Sequence, residues 1–485
     1  MKELRGSGSL LLTTNQRQGG PLMQHDTTAL RSILAELCSH HLRRTEDLAS
    51  AEPAILDEIY GELRLAMAQA MECFDETLAS ERELGWVIKD RRSRTLFTEF
   101  GEVTYVRRVY IDEYKDRRYL LDDVLDIAPR HYISANAFSI VCRFAADIPY
   151  ARAAGMLCRH TGSEITASGV MGCLRKLGSI LKERDHGRQR ELFDEGLCPK
   201  ASIIAAEVSA EADGIWVHLQ RERARSVELK AFCAYQGKED GRRLNTVHHA
   251  AICEAGAFTR QAIAKMAAHF SLPDIRCVYF GSDGESWCKA VPDFIHGPKV
   301  VASLDPWHIN RMIDAAFPLR TTRARVYDYL KTSDVSGLIS YLKEKATQKT
   351  KTQDKVKALL KYISNNRSLI AVSCPSLGTQ EGTNAHVYAA RMKVWGGGWS
   401  RRGASDMARI RSTLFSGEEL PKLHQRIQLS RQEQRRREAL RAKWLEDVSY
   451  NVPISEGKGY EMPQGHLMPF SSEQSRVKFW PEWSR

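Results

Sequence analysis

Apolar residues recur at three- and four-residue steps through 52–90, where Ile55, Ile59, Leu63, Met67, Met71, Phe74 and Leu78 make one stripe. That period predicts a long helix with a single packing face. Over 95–112 the pattern changes to β-formers, among them Phe97, Val103, Tyr105 and Val109, interrupted by Gly101, which predicts a hairpin. Arg107, Arg108, Arg117 and Arg118 make this stretch basic. Residues 134–178 return to helical periods as three short helices. Pro149 opens one that runs to about Cys158, Thr161-Gly162-Ser163 supplies a turn, and Thr166 or Ser168 caps the next. The spacing is that of a helix-turn-helix, with Arg143, Arg152, Arg159, Arg175 and Lys176 available for phosphates. A plain packing triplet shares the same pattern.

Residues 201–305 read as a mixed α/β sheet. Strands are predicted at 202–206, 215–219 and 227–235, a helix at 258–270, and two short apolar strands at 276–280 and 299–304. The stretch 307–365 is helical, basic and without a clear strand, an insertion before a final helix that begins near Glu381. The ends differ in kind. Residues 1–26 are rich in Gly, Gln, Ser and Thr without a sustained period and are expected to be disordered. Beyond Pro421, Arg426, Arg431, Arg435, Arg436, Arg437, Arg441 and Lys443 stud a helical pattern, either a solvated basic helix or a contact for nucleic-acid backbone. The expected layout is a helical region at 27–95, a hairpin plus helix-turn-helix region at 96–185, an α/β domain at 196–415 with its insertion at about 306–372, and a basic tail at 416–485.

Composition narrows the class. The 485 residues are 43% hydrophobic and 27% charged, as in soluble globular chains, with 71 Lys and Arg against 60 Asp and Glu for a net charge of +11. No apolar run approaches the ~18 residues that a membrane helix needs, and no convincing signal peptide opens the chain. The 11 cysteines contain no Cys-x-x-Cys pair, which argues against a zinc ribbon or a redox motif and fits reduced thiols in a cytoplasm. Neither Gly-x-x-x-x-Gly-Lys-Ser/Thr nor Gly-x-Gly-x-x-Gly occurs.

Candidate chemistry sits at strand ends. Asp213, in Glu-Ala-Asp-Gly at 211–214, falls between two predicted strands, and Asp283, in Gly-Ser-Asp-Gly at 281–284, follows a strand directly. A following glycine lets the backbone turn and leaves each carboxylate uncovered; a bare Asp-Gly turn is the plain alternative. Glu381 begins the final helical stretch, with His386 and Arg391 five and ten residues on. Three carboxylates from two strands and a helix can hold two hard divalent cations, which suits phosphodiester displacement. Trp395 and Trp399 flank Gly396–Gly398 either as stacking platforms around a mobile loop or as core anchors.

These motifs occur in one order: Glu-Ala-Asp-Gly, Gly-Ser-Asp-Gly, Leu-Asp-x-x-His at 304–308, Glu-Gly-x-x-x-His-Val-x-x-x-Arg at 381–391 and Gly-Trp-Ser-x-x-Gly at 398–403. With Gly-Glu-Val-Thr-Tyr-x-Arg-Arg at 101–108 and Leu-Leu-Asp-Asp-Val-Leu at 120–125, the chain resembles the Lre-type family of bacterial insertion-sequence transposases, which is related to Mutator-like DDE transposases. The resemblance covers about 97–411. It implies a ribonuclease H-like catalytic domain with a helical insertion, and a DDE triad at Asp213, Asp283 and Glu381 as catalytic and metal residues. Asp305, His308, His386 and Arg391 are possible accessories. It further implies Mg²⁺, with Mn²⁺ able to substitute, and double-stranded DNA as partner, both as element ends and as target. A homo-oligomeric complex and a bacterial, nucleoid-associated location follow from the same resemblance. The expected function is metal-dependent cleavage at element ends and strand transfer. The alternatives are a domesticated or inactive DNA-binding protein, a nuclease without strand transfer and, last, an interaction scaffold.

Overall fold

The computed structural model describes residues 27–423, apart from 83–84, 113, 371–373, 375–376, 394–396 and 422. The disordered segment expected at 1–26, the basic tail from 424 onward and Trp395 lie outside the described residues. The chain divides into two compact units, whose described parts are 27–132 and 133–423.

In the first unit, helix α1 (Thr27–Arg44) leads to α2 (Leu48–Ser80), which Asp47 caps by accepting the Ser50 amide at 2.8 Å. The predicted helix is shorter than 52–90, because the chain beyond Ser80 turns into strand β1 (Val87–Thr98). Gly101, at φ +99°, closes the hairpin to β2 (Gly101–Ile111), which pairs antiparallel with β1 and carries the short β3 (Arg117–Arg118). Helix α3 (Leu120–Val124) follows. Only the carboxy-terminal half of the predicted stripe is buried: Met71, Phe74 and Leu78 pack with Leu96, Val103, Tyr105 and Leu121. Leu63 and Met67 are exposed. The hairpin is basic in composition, yet its arginines are largely neutralised. Arg94 and Arg107 reach Asp122 at 2.5 and 2.9 Å, and Arg108 reaches Asp75 at 2.8 Å, with Arg107, Arg108 and both acids buried and Arg94 partly so.

The second unit begins with three helices, α4 (Ala135–Asp147), α5 (Tyr150–Thr161) and α6 (Ala167–Phe193). Ser134 and Thr166 cap the first and third, and Gly162, at φ +65°, ends the second. The third is long rather than short, 27 residues. Arg143, Arg152, Arg159 and Arg175 are exposed on these helices.

A five-stranded mixed sheet follows. Its strands are β4 (Glu207–His218), β5 (Ser226–Tyr235), β8 (Val247–Ala251), β9 (Cys277–Ser282) and β10 (Lys299–Leu304), with a small ribbon of β6 (Gly237–Glu239) and β7 (Arg242–Leu244) inserted after β5. The order is β10-β9-β4-β5-β8: β4, β5 and β8 form an antiparallel meander, and β9 and β10 run parallel to β4. Helix α7 (Ala255–His269) buries Phe258, Ile263 and Met266 against Phe232, Val278 and Phe280. No strand forms at 202–206; Ile203 makes a single bridge to Phe270. The predicted strand at 215–219 is instead the second half of β4, so Asp213 lies inside a strand and not at a turn. Gly214 leaves room across the sheet: a Cβ there would come within 2.5 Å of a Glu228 carboxylate oxygen on β5, which would have to shift.

After β9 the short α8 (Ser286–Lys289) leads to β10. The insertion forms α9 (Pro306–Ala316), α10 (Arg320–Lys331), α11 (Val335–Thr347), α12 (Gln353–Asn365) and α13 (Arg367–Ile370), which build a core of their own from Ile313, Val326, Leu338, Leu342, Leu359 and Ile363. The chain then returns to β4 as α14 (Gln380–Thr383), widens into a π-helical segment at Asn384–Ala389, and continues through α15 (Ala390–Met392) to α16 (Arg401–Phe415).

Just beyond α16, Glu418 accepts ion pairs from Lys265 at 3.1 Å, Arg184 at 3.0 Å and Arg188 at 3.3 Å. Burial pushes its carboxyl up, but these three cations outweigh burial and hold it at about 2. The native pKa is depressed, so the associated stability is present above the ordinary carboxyl value and is lost as the pH falls through about 2. Glu418→Gln is therefore expected to cost about 3 kcal/mol at pH 7, with little difference from the parent near pH 2. Urea melts across that range check both the size and the direction.

Candidate active site

Strand register builds the site. In the parallel part of the sheet, Ser282 of β9 is flanked by Ala212 of β4 on one side and Leu304 of β10 on the other. The next residue on each strand is an acid, so Asp213, Asp283 and Asp305 emerge in one row at the same edge. Parallel strands present their carboxyl ends on one side, and reactive groups gather there in open α/β sheets.

Asp213 is 7% exposed. Its Oδ1 accepts the Gly214 amide at 2.7 Å and its Oδ2 accepts Asn384 Nδ2 at 2.7 Å. Burial, then the Asp283 charge, push its carboxyl up to about 7 against the pull of His308 and the Gly214 amide, and Glu381 adds to the push. Asp283 is half-buried, with Oδ1 accepting the Glu285 amide at 3.0 Å and its carbonyl accepting the Tyr362 hydroxyl at 2.7 Å. Gly284 follows at φ +84°, with the Asn366 amide within 2.8 Å of where a Cβ would stand. At 284 the turn itself therefore calls for glycine.

Asp305 is committed to the fold as well as to the site. It caps α9 by accepting the Trp307 amide at 2.9 Å, and its other oxygen meets His308 Nδ1 at 3.2 Å. Burial opposes a charge on His308, but the Asp305 hydrogen bond and the carboxylates of Asp213, Asp305 and Asp283 outweigh it and raise its pKa. His308 thus stands beside the carboxylates of Asp305, Asp213 and Asp283, which favour its protonated form.

Glu381 is exposed in the first turn of α14. What ties its segment to β4 is Glu211, a residue the sequence pattern passes over as part of a turn. The Glu211 carboxylate is 1% exposed and accepts the amides of Gly378, Thr379 and Gln380 at 3.1, 2.8 and 3.0 Å. It also accepts the hydroxyls of Thr379 at 2.6 Å and Tyr235 at 2.5 Å. Asn384, one turn beyond, bonds Asp213. The Glu381 turn is therefore held at both ends by β4. The signal available in the sequence was the alternation of a strand, which puts Glu211 and Asp213 on one face. Tyr362 and Asn366, behind Asp283, gave no signal at all.

His386 is exposed on the π-helical segment. Arg391 is not among the acids: its guanidinium packs 5.5 Å from the Tyr150 ring centroid and 5.0 Å from that of Trp399, and Nε donates to the Ala145 carbonyl at 3.3 Å. Trp399 is a core anchor, 7% exposed, with Nε1 donating to the Met392 carbonyl at 3.0 Å.

Among the described residues no group of three or more His, Cys, Asp and Glu side chains is gathered in a form that holds a metal ion. The two-acid part of the site does suit one. Asp213 and Asp283 repel each other in a buried setting, and Mg²⁺ is commonly held by one or two carboxylates with waters completing its shell. Glu381 is not drawn in with them.

The raised Asp213 pKa has a consequence for stability. Native Asp213 holds its proton more tightly than the unfolded chain does, so the associated stability is full below pH 4 and is lost as the pH rises through about 7. The raised pKa of His308 acts with the same sign. In EDTA the protein is expected to lose up to about 4 kcal/mol from this source between pH 4 and pH 8. Added Mn²⁺ should restore part of it at pH 8, a difference that thermal melts at the two pH values measure directly.

The sequence signature of an uncharacterised protein family, UPF0236, matches residues 46–428, from α2 through the sheet and insertion to beyond α16. The chain belongs to the UPF0236 family. UPF0236 protein TTE2489 of Caldanaerobacter subterraneus subsp. tengcongensis is 25% identical over 370 residues, which cover 74% of this chain and 76% of the relative. A second UPF0236 protein of that bacterium, TTE0402, is 25% identical over 350 residues, 70% of this chain and 68% of its own. A third is 23% identical over 411 residues, 81% of this chain and 82% of the relative, and its name joins 11 locus designations, from TTE0033 to TTE2212. UPF0236 is thus a family with many members within one bacterium. No helix among the described residues of this UPF0236 chain is long and apolar enough to cross a membrane.

Proposed function

We propose that this chain is the DNA transposase of an insertion sequence, cleaving phosphodiesters at element ends and joining them to target DNA. The observation that carries the proposal is the register that sets Asp213 beside Asp283 on parallel strands, with the Glu381 turn fastened to the same strand through Glu211 and Asn384. Three further features support it. A three-stranded meander continued by two parallel strands is the strand arrangement of a ribonuclease H-like domain. A helical insertion separates the second acid from the third, as in the Lre-type transposases that the motifs resemble. Finally, one relative's name spans 11 loci of a single genome, the distribution expected of a sequence that copies itself.

Asp213 and Asp283 would hold a divalent cation, Mg²⁺ or Mn²⁺, whose chemistry is to polarise a phosphodiester and favour the ionised form of an attacking hydroxyl or water. The protein's own work is positioning and charge. Burial keeps water from the Asp213 carboxylate, Asn384 and the Gly214 amide fix its orientation, and Tyr362 fixes the backbone of Asp283. His308, raised in pKa by its acidic neighbours, can hold a proton beside the reacting phosphate. Arg152, Arg159 and Arg175 are exposed for contact with backbone phosphates, and a homo-oligomer would bring two element ends together.

The exposure of Glu381 outside any three-ligand group favours a second reading, a transposase-derived DNA-binding protein that does not cut. A supercoiled plasmid carrying the DNA on either side of the gene, with any inverted repeats it holds, tells them apart. Mg²⁺-dependent nicks at the repeat ends, with cut ends recovered in a second plasmid, are the expected result. Binding without nicks in either Mg²⁺ or Mn²⁺ establishes the second reading.

A further inference from the structure

Strands β4 and β5 run on together beyond the end of β9. Strand β9 flanks β4 only over Glu207–Ala212, whereas β5 stays paired with it to His218. The last part of β4 therefore belongs to a two-stranded arm that starts at Asp213. The arm is braced at its tip. Trp399 donates its amide to the His218 carbonyl, and its own carbonyl accepts the Gln220 amide, both at 3.0 Å, which adds a rung to β4 where β9 is missing. Gly398 permits that approach, because a Cβ there would stand 2.7 Å from the Gln220 Cβ. Ser400 then caps α16 by accepting the Gly403 amide at 3.1 Å. The run Gly-Trp-Ser-x-x-Gly at 398–403 thus ties the arm to α16.

What the braced tip presents is charge. Its sequence, Leu-Gln-Arg-Glu-Arg-Ala-Arg at 219–225, holds Arg221, Arg223 and Arg225, all exposed. The acid among them, Glu222, accepts the Arg401 amide at 2.8 Å and lies 3.6 Å from Arg401 Nε, so it is turned toward α16. Arg401 is itself exposed. Four arginines therefore share Glu222, an excess of positive charge that a polyanion neutralises. Arg221 sits at φ +58°, a left-handed conformation that glycine or asparagine would take at less cost. Trp216, 61% exposed, and His218 alternate onto one face of the same arm.

We propose that this arm is a surface that holds duplex DNA beside the row of acids, a proposal that deepens the DNA reading given above and rests on it. The end of β4 lies about 17 Å along the strand from Asp213, at ~3.3 Å per residue. A duplex advances that far in about five base pairs, at ~3.4 Å each. Arg221, Arg223 and Arg225 contact backbone phosphates, and Trp216 packs its ring on deoxyribose. Because the arm and Asp213 share one continuous strand, DNA gripped at the tip has its position fixed relative to the acids.

The test follows a fluorescent duplex of random sequence, bound by the full chain in EDTA, by anisotropy over a range of NaCl concentrations. Arg221→Gln, Arg223→Gln and Arg225→Gln together are expected to weaken binding about 10²-fold at ~0.1 M salt and to reduce the slope of log affinity against log salt by about 2 to 3. Arg221→Lys, Arg223→Lys and Arg225→Lys together should keep the slope. Trp216→Ala should weaken binding about 5-fold with the slope unchanged. An equal loss of charge on α1, by Arg31→Gln, Arg43→Gln and Arg44→Gln, should change little. An undiminished slope in the glutamine triple, an equal loss in the lysine triple or the same loss from the α1 triple overturns the proposal and leaves the DNA reading in place. Tighter binding of single-stranded RNA than of duplex DNA by the parent, lost in the same glutamine triple, assigns the arm to RNA and also overturns it. No affinity of the parent for duplex at any salt concentration overturns the DNA reading itself, and the proposal with it.

Discussion

Asp213→Asn is expected to lower Mg²⁺-dependent strand cleavage by about 10³-fold or more while leaving affinity for element ends unchanged. The size follows from the placement of Asp213. It is the most buried member of the acid pair, its orientation is fixed by two donors, and the adjacent Asp283 makes its ionised form dependent on a compensating cation. An amide cannot supply that charge. The same substitution removes a carboxylate repulsion and is expected to flatten the fall in stability between pH 4 and pH 8, so loss of cutting cannot be ascribed to unfolding. Because burial and Asp283 raise the Asp213 carboxyl, Mg²⁺ must displace its proton, and cleavage by the parent should fall as the pH is lowered. Plasmid nicking scored beside filter binding checks the claim, and undiminished cutting by Asp213→Asn contradicts the assignment.

Glu211→Gln should be the most damaging single isosteric change in the sheet, costing about 3 kcal/mol. Five donors converge on this buried carboxylate, three of them backbone amides at the start of α14. A glutamine has one acceptor oxygen where two are needed, and its amide nitrogen would face N–H groups. Because those amides belong to the turn that carries Glu381, the loss should appear in activity too, with cleavage falling more steeply than end binding. Glu211→Asp, which keeps the charge and shortens the reach, should recover part of the stability. If Glu211→Gln melts like the parent, the latch assigned to it does not exist.

The parts of this molecule that were visible in the sequence are those governed by local pattern. Ser134 and Thr166 announce helix starts, Gly101 announces the hairpin, and the apolar run at Lys299–Leu304 announces a strand. Where long-range pairing decides, pattern misleads. Glu-Ala-Asp-Gly looks like a turn because it combines acids with glycine, but it lies in the middle of β4, where Gly214 makes room for Glu228 across the sheet. Strand β8 went unread because two histidines break its apolar run; His248 and His249 are buried there. Arg107 and Arg108 make the hairpin basic in sequence, yet Asp122 and Asp75 stand against them. The order of the acids could be read from their flanking glycines, whereas the residues that hold them, Glu211, Asn384 and Tyr362, come from positions up to 171 residues from their partners.

Tyr362 links the insertion to the row of acids. It belongs to α12, and its hydroxyl grips the carbonyl of Asp283 while Asn366, just beyond that helix, crowds Gly284. A helical bundle with its own packed interior therefore has a fingertip resting on the backbone that carries one acid of the pair. A shift of that bundle would move the backbone of Asp283, and with it the spacing of the two acids, from a distance.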